Sequence, residues 1–154
     1  MANSQDWPDI SGRIDAQCHI LPVRIYFEDT DFSGVVYHAS YLKFCERGRS
    51  DFMRLIGIHH AQLFMGDDEG KSPLAFAVRH MDIDFLGAAK IDQILEVKTA
   101  LASNTGVRLK LEQNIFCGDN HLLKAMVTVV LLDDNGTPKR FPNTLLTNLS
   151  EYMT

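Results

Sequence analysis

A chain of 154 residues is long enough for one well-buried core and short for two, so a single domain is expected. With 45% hydrophobic and 23% charged residues it reads as an ordinary globule, and a formal charge of -5 lacks the basic balance of a phosphate binder, so no nucleic-acid partner is expected. Cys18, Cys45 and Cys117 are odd in number and far apart, which suits a reducing compartment and offers no zinc spacing. The first residues show no basic region followed by an apolar run, and no segment approaches a membrane span, so cytoplasm is the default location.

Taken in order, residues 1–16 are polar and broken by Pro8 and Gly12, and read as a loose arm that Trp7 and Ile10 are placed to pin. Residues 19–27 predict a strand, with Val23, Ile25 and Phe27 on one face and Arg24 and Tyr26 on the other. From residue 40 to 56 the period changes. Tyr41, Phe44, Cys45, Gly48, Phe52, Leu55 and Ile56 repeat at spacings of three and four, which predicts an amphipathic helix. Gly48 on its apolar stripe costs about 1 kcal/mol in helix propensity, and a close approach to a sheet is the expected return. Gly57 is placed to end the helix in a left-handed conformation. Residues 58–63 predict another short helical piece, and MGDDEGKSP a loop.

The remainder reads as four strands. Residues 74–85 are extended. Ile91, Gln93, Leu95, Val97, Thr99 and Leu101 share one face of the next strand. Val107, Leu109, Leu111, Gln113, Ile115 and Cys117 form the dry face of a third, and residues 122–132 are apolar on both sides apart from Lys124 and Thr128, as expected of a strand that is central or covered by a second layer. Hairpin-grade turns at 103–106 and 118–120 make the sheet antiparallel, with the long helix as cover for its dry face. A partly apolar second face is expected to meet a partner subunit. Residues 137–154 read as a tail with a brief helix or loose packing.

One stretch stands apart. In YFEDTDFSGVVYH, Asp29 and Asp31 lie two residues apart at a strand end, Gly34 permits a tight turn, and Tyr37 and His38 fall where the helical pattern begins. A carboxylate beside exposed amides at a helix start is a pairing that activates water or attacks a carbonyl while holding charge on its oxygen. Asp29 alone is equally well explained as a loop cap.

Residues 23–57, VRIYFEDTDFSGVVYHASYLKFCERGRSDFMRLIG, resemble the hotdog-fold acyl-CoA thioesterases of the 4-hydroxybenzoyl-CoA thioesterase class, in the bacterial branch associated with the Tol-Pal envelope system. The likeness continues through FAVRHMDIDFLGAAKIDQILEVKT and covers roughly residues 20–132. The resemblance implies an α+β hotdog fold, with a long central helix wrapped by a curved five-stranded antiparallel sheet. Residues 17–136 would form that unit, between the arm 1–16 and the tail 137–154. It also implies a dimer or tetramer with active sites at the subunit interface, an acyl-CoA substrate, and envelope or lipid-synthesis proteins as further partners. No cofactor or metal is implied. By family position Asp31 is the catalytic carboxylate, as base or nucleophile, and the His38 amide polarises the carbonyl, with the His38 side chain matching the branch's histidine. Gly34, Val36 and Tyr37 form the implied substrate-binding set. Phe32-Ser33 departs from the Ala-Gly common in that branch, which puts pocket shape in question.

Other residues were weighed against this set. Cys45 lies on the packed stripe and reads as core. Glu46 reads as an ion-pair partner of an arginine, although another hotdog branch uses a helix glutamate for catalysis. His59, His60, His80, Asp82 and Asp84 have no metal-binding spacing. Two further functions stay open: a hotdog hydratase or dehydratase, and a non-catalytic acyl-CoA or acyl-carrier-binding scaffold.

Overall fold

The computed structural model describes residues 10–66 and 72–153. Trp7 and most of the expected MGDDEGKSP loop lie outside the described residues. The elements run β1 (Arg13–Asp15), β2 (Cys18–Arg24), a 3-10 turn (Phe27–Asp29), α1 (His38–Leu55), α2 (His60–Met65), β3 (Ala75–Phe85), β4 (Ile94–Asn104), β5 (Leu109–Cys117), β6 (Asn120–Leu132), β7 (Pro138–Lys139) and α3 (Asn143–Ser150). The five long strands are joined by two short ones in a sheet ordered β1-β2-β4-β5-β6-β3, with β7 also on β6, and every strand pair is antiparallel. β6 thus pairs on both sides, as its two apolar faces require.

α1 lies on the dry face. Phe44 and Phe52 are wholly buried, and burying each such side chain is worth about 1.5–3 kcal/mol. Gly48 is where helix and sheet come closest. A Cβ there would lie 2.9 Å from Val97 Cγ1 and 3.1 Å from Thr99 Oγ1. The helix closes at Gly57, whose φ is +89°.

Several expectations are corrected in detail. The first strand stops at Arg24, because the Asp29 carboxylate accepts from the Tyr26 amide (2.8 Å) and curls residues 26–29 into a turn; Phe27, expected in the core, is exposed. Leu55 is also exposed, at the frayed end of the stripe. β4 begins at Ile94 rather than Ile91, since Asp92 takes a φ of +70° and Gln93 Oε1 accepts from the Lys90 amide to make a turn. Val107 falls in the β4–β5 turn and is exposed. The outer sheet face is more polar than expected, carrying Glu96, Lys98, Lys110, Glu112 and Lys124 on the three middle strands.

At the ends of the chain, β1 pairs with β2 within the stretch expected to be loose, and the Gly12 amide donates to Asp51 Oδ2 (2.8 Å). Phe141, Leu145 and Leu149 are buried, so α3 closes one end of the core.

Candidate active site

The loop between the 3-10 turn and α1 is held by its own backbone. The Asp31 amide donates to Val35 O (2.9 Å) and the Gly34 amide to Asp31 O (3.0 Å), with Gly34 at φ +83°. Only glycine takes that conformation without strain. Asp29 anchors the loop from behind: its carboxylate caps the turn and its carbonyl accepts from the Tyr37 amide (2.9 Å). The capping alternative read from the sequence describes what Asp29 does here.

Asp31 itself is exposed. Its Oδ1 accepts from the Ser33 amide (2.8 Å) and from the Ser33 hydroxyl. The Ser33 hydroxyl, then the Ser33 amide, hold its carboxyl below the usual carboxylate range. Ser33 is one of the two residues that depart from the branch's common pair, and it is the residue that binds the carboxylate. An exposed carboxylate is ionised at neutral pH in any case, and these bonds favour that form further.

The opposite side of the loop is locked to the segment after β3. Thr30 bridges Val36 and Val35 bridges Lys90. The Val36 amide donates to Ala89 O (2.9 Å), and the Ala89 amide donates to the Tyr41 hydroxyl (2.9 Å). Val36 and Ala89 are buried, so Val36 sits beneath the loop while Tyr37 remains half exposed above it. Through this clamp the FLGAAK segment, residues 85–90, supplies the loop's floor.

His38 is the first residue of α1, where a backbone N–H has no carbonyl one turn behind it. Its exposed ring packs at 4.5 Å from the Tyr37 ring and stands edge-on to Phe85 at 6.2 Å. The bridge between Thr30 and Val36 sets Asp29 beside Tyr37, the residue before α1, and Asp31 beside Val35 at the turn. The N-terminus of α1 favours negative charge, whether carboxylate or oxyanion.

The other weighed residues lie elsewhere. Cys45 is buried and its thiol is pushed up to about 11 by desolvation, so it is inert. Glu46 accepts from the Ser50 hydroxyl one turn on and lies within electrostatic reach of Arg49, with no arginine ion pair among the described residues. Among the described residues no three His, Cys, Asp or Glu side chains converge as a metal site would require. An open cleft of ≈ 800 Å³ between β2 and α1 reaches Asp29 but neither Asp31 nor His38.

Sequence reasoning missed one polar pair. His19, wholly buried and stacked on Phe52, meets Asp51 Oδ2 through Nε2 at 2.6 Å. A carboxylate only accepts, so Nε2 carries the proton. Nδ1 has no partner; charging the ring would orphan a second N–H, and burial accordingly lowers the His19 pKa against the pull of Asp51. The signal was present in phase: Asp51 falls on the helix stripe between Gly48 and Phe52, and His19 on the strand face of Leu21 and Val23.

Residues 33–124 match the family model of the thioesterase superfamily. The chain is 37% identical over 135 residues to the acyl-CoA thioester hydrolase YbgC of Escherichia coli O6:H1, covering 84% of this chain and 94% of that protein. It is 39% identical over 113 residues to the acyl-CoA thioesterase YbgC of Haemophilus influenzae, covering 73% and 79%. The crystal structure of a probable thioesterase from Bartonella henselae superposes with a TM-score of 0.77 at 46% identity, over 81% of this chain and 99% of that one. The chain belongs to the thioesterase superfamily, and its helix and antiparallel sheet are the hotdog fold. It is a thioester hydrolase.

Proposed function

We propose that the protein hydrolyses acyl-CoA thioesters at the rim where the exposed Asp31 carboxylate faces the N-terminus of α1. The observation that carries this reading is the Asp31 environment. The carboxylate is exposed, accepts from the Ser33 amide and hydroxyl, and belongs to a short loop that leads directly into the N-terminus of α1 at His38. The relatives named above as acyl-CoA thioesterases support the substrate class.

The thioester carbonyl oxygen accepts from the His38 N–H, which stabilises the negative charge that develops there. Asp31 either attacks the carbonyl carbon or removes a proton from the water that does. In both routes a C–O bond forms, the C–S bond breaks, and one water is consumed to give a free acid and CoA, with the thiolate taking up a proton. The His38 side chain, exposed on the same rim, is placed to orient water or supply that proton. Gly34 shapes the turn, Val36 braces it and Tyr37 borders the acyl group.

The enzyme acts as a homo-oligomer. β3 offers an 11-residue outer edge with no strand beside it, and Val78, Phe85 and Leu86 are exposed along or next to it. Open edges of that length pair with another chain, and two copies pairing there form one continuous sheet. Sedimentation at assay concentration is expected to show a dimer or tetramer, and a monomer would count against this assembly.

The decisive experiment follows thiol release from a panel of acyl-CoA and aryl-CoA thioesters with wild type and Asp31→Asn. The substitution is expected to lower turnover by at least about two orders of magnitude, the effect of losing a major catalytic group. Undiminished turnover by the folded variant would remove Asp31 from the mechanism.

A further inference from the structure

A small cavity of ≈ 120 Å³ lies between the middle of α1 and the inner face of β3, β5 and β6. Phe76 and Val78 are among its apolar walls, and Arg49, Glu46, Ser50 and His60 make its polar end. Arg49 is held in place from below. Gln113 is wholly buried and its Nε2 donates to Cys45 O and Thr99 Oγ1, both at 2.9 Å, which leaves Gln113 Oε1 to accept from Arg49 Nη1 at 2.9 Å. Glu46 lies within electrostatic reach of Arg49 at the same end, but its Oε1 accepts from the Ser50 hydroxyl, and among the described residues it makes no ion pair with Arg49. A half-buried guanidinium has five N–H donors, and Gln113 takes one of them. The remaining donors, beside apolar walls, are placed to hold an acceptor that enters the cavity.

Within one chain this cavity is too far from the carbonyl site to matter. Arg49 follows His38 by eleven residues, roughly 16 Å of helix. The edge of β3 changes that distance. If two copies pair antiparallel along the whole strand, the two-fold lies at its midpoint and the Phe85 end of one copy lies against the Ala75 end of the other. Phe85 is the residue on which the His38 ring stands, and Phe76 and Val78 wall the cavity. The catalytic rim of one subunit therefore meets the cavity of its neighbour.

Resting on the thioesterase reading and the β3-edge pairing above, we propose that this cavity receives the acyl group of a thioester held at the partner subunit's His38, and that Arg49, positioned by Gln113, selects a short acyl group ending in a carboxylate. A carboxylate matches the guanidinium fork with two parallel hydrogen bonds. The volume admits about four groups the size of a water molecule, which suits an acyl chain of four or five carbons.

The test compares kcat/KM for glutaryl-CoA and valeryl-CoA, which have equal carbon number and differ in the terminal carboxylate. Wild type is expected to favour glutaryl-CoA, and Arg49→Met to lower the glutaryl-to-valeryl ratio by at least about tenfold, the scale of one hydrogen bond to a charged group. Arg49→Lys keeps the charge without the fork and is expected to lower the ratio by less, which gives a reading even if the methionine variant does not fold. A wild-type preference for valeryl-CoA, or a ratio unmoved in both variants, overturns the inference. If valeryl-CoA is hydrolysed in an Asp31-dependent way with no glutaryl preference, this inference falls and the thioesterase reading stands. If neither thioester is hydrolysed, this inference falls, and the acyl-CoA reading is decided by the wider panel above.

Discussion

The molecule holds two aspartate–histidine pairings, and they are opposites. Asp31 and His38, the proposed site residues, are both exposed, and the carboxylate accepts from a serine two residues away. Asp51 and His19 touch at 2.6 Å in the core, where Asp51 also accepts from the Gly12 amide and from Arg54 Nη1 at 3.2 Å. By contact alone the buried pair resembles a catalytic dyad more closely. Its surroundings argue otherwise: Asp51 is buried and takes donors from His19, Gly12 and Arg54, so it ties β2 and the residue before β1 to α1 and is closed to a substrate. The exposed pair shows no direct hydrogen bond, and its carboxylate is open to solvent, which is what the proposed chemistry needs.

Crossed substitutions sharpen that contrast. Asp51→Ala is expected to destabilise the fold by about 3–5 kcal/mol, because it orphans the His19 and Gly12 donors together. Urea unfolding measures this, and a loss below about 1 kcal/mol would mean that the pair is not a tie. Asp31→Asn should leave the unfolding midpoint nearly unchanged while turnover falls as stated above, so each aspartate governs one observable. Gly48→Ala is expected to cost about 1–3 kcal/mol through overpacking against Val97 and Thr99, although the same change at an exposed helix site would stabilise by about 1 kcal/mol. A neutral or stabilised variant would show that the sheet yields there.

The two pairings also respond differently to acid. The folded His19 pKa lies below the ordinary histidine value of 6.5, so the unfolded chain binds the proton more readily. Its contribution to stability is whole above about pH 7 and declines as pH falls through 6.5 toward the folded value. Unfolding free energy of wild type is expected to fall relative to His19→Gln over that window, and parallel curves would refute the neutral assignment. On the rim, Ser33→Ala removes the first cause of the lowered Asp31 pKa, so the acid limb of kcat/KM should move to higher pH. It is the smallest of these effects, because the Ser33 amide remains.

Much of this was legible before any coordinates. Period-three-to-four spacing located α1, alternation located β5, and both gave most of the core residues correctly, because burial imposes its period directly on residue type. Gly48 and Gly57 carried their reasons on their face. The errors gathered where a side chain bonds to its own backbone: Asp29 ended β2 early and Gln93 delayed β4, and hydropathy does not register such bonds.

By itself the sequence determined the helix, the order of strands and the loop with Asp31, Gly34 and His38, since each depends on neighbours within a few turns of chain. Only tertiary structure decided that Ala89 and Tyr41 floor that loop, that Asp51 finds His19, and that Arg49 finds Gln113. These partners lie 32 to 64 residues apart. Nothing local in the chain fixes which buried polar groups will meet, because that follows from the register of strands that pair only when the sheet closes over the helix.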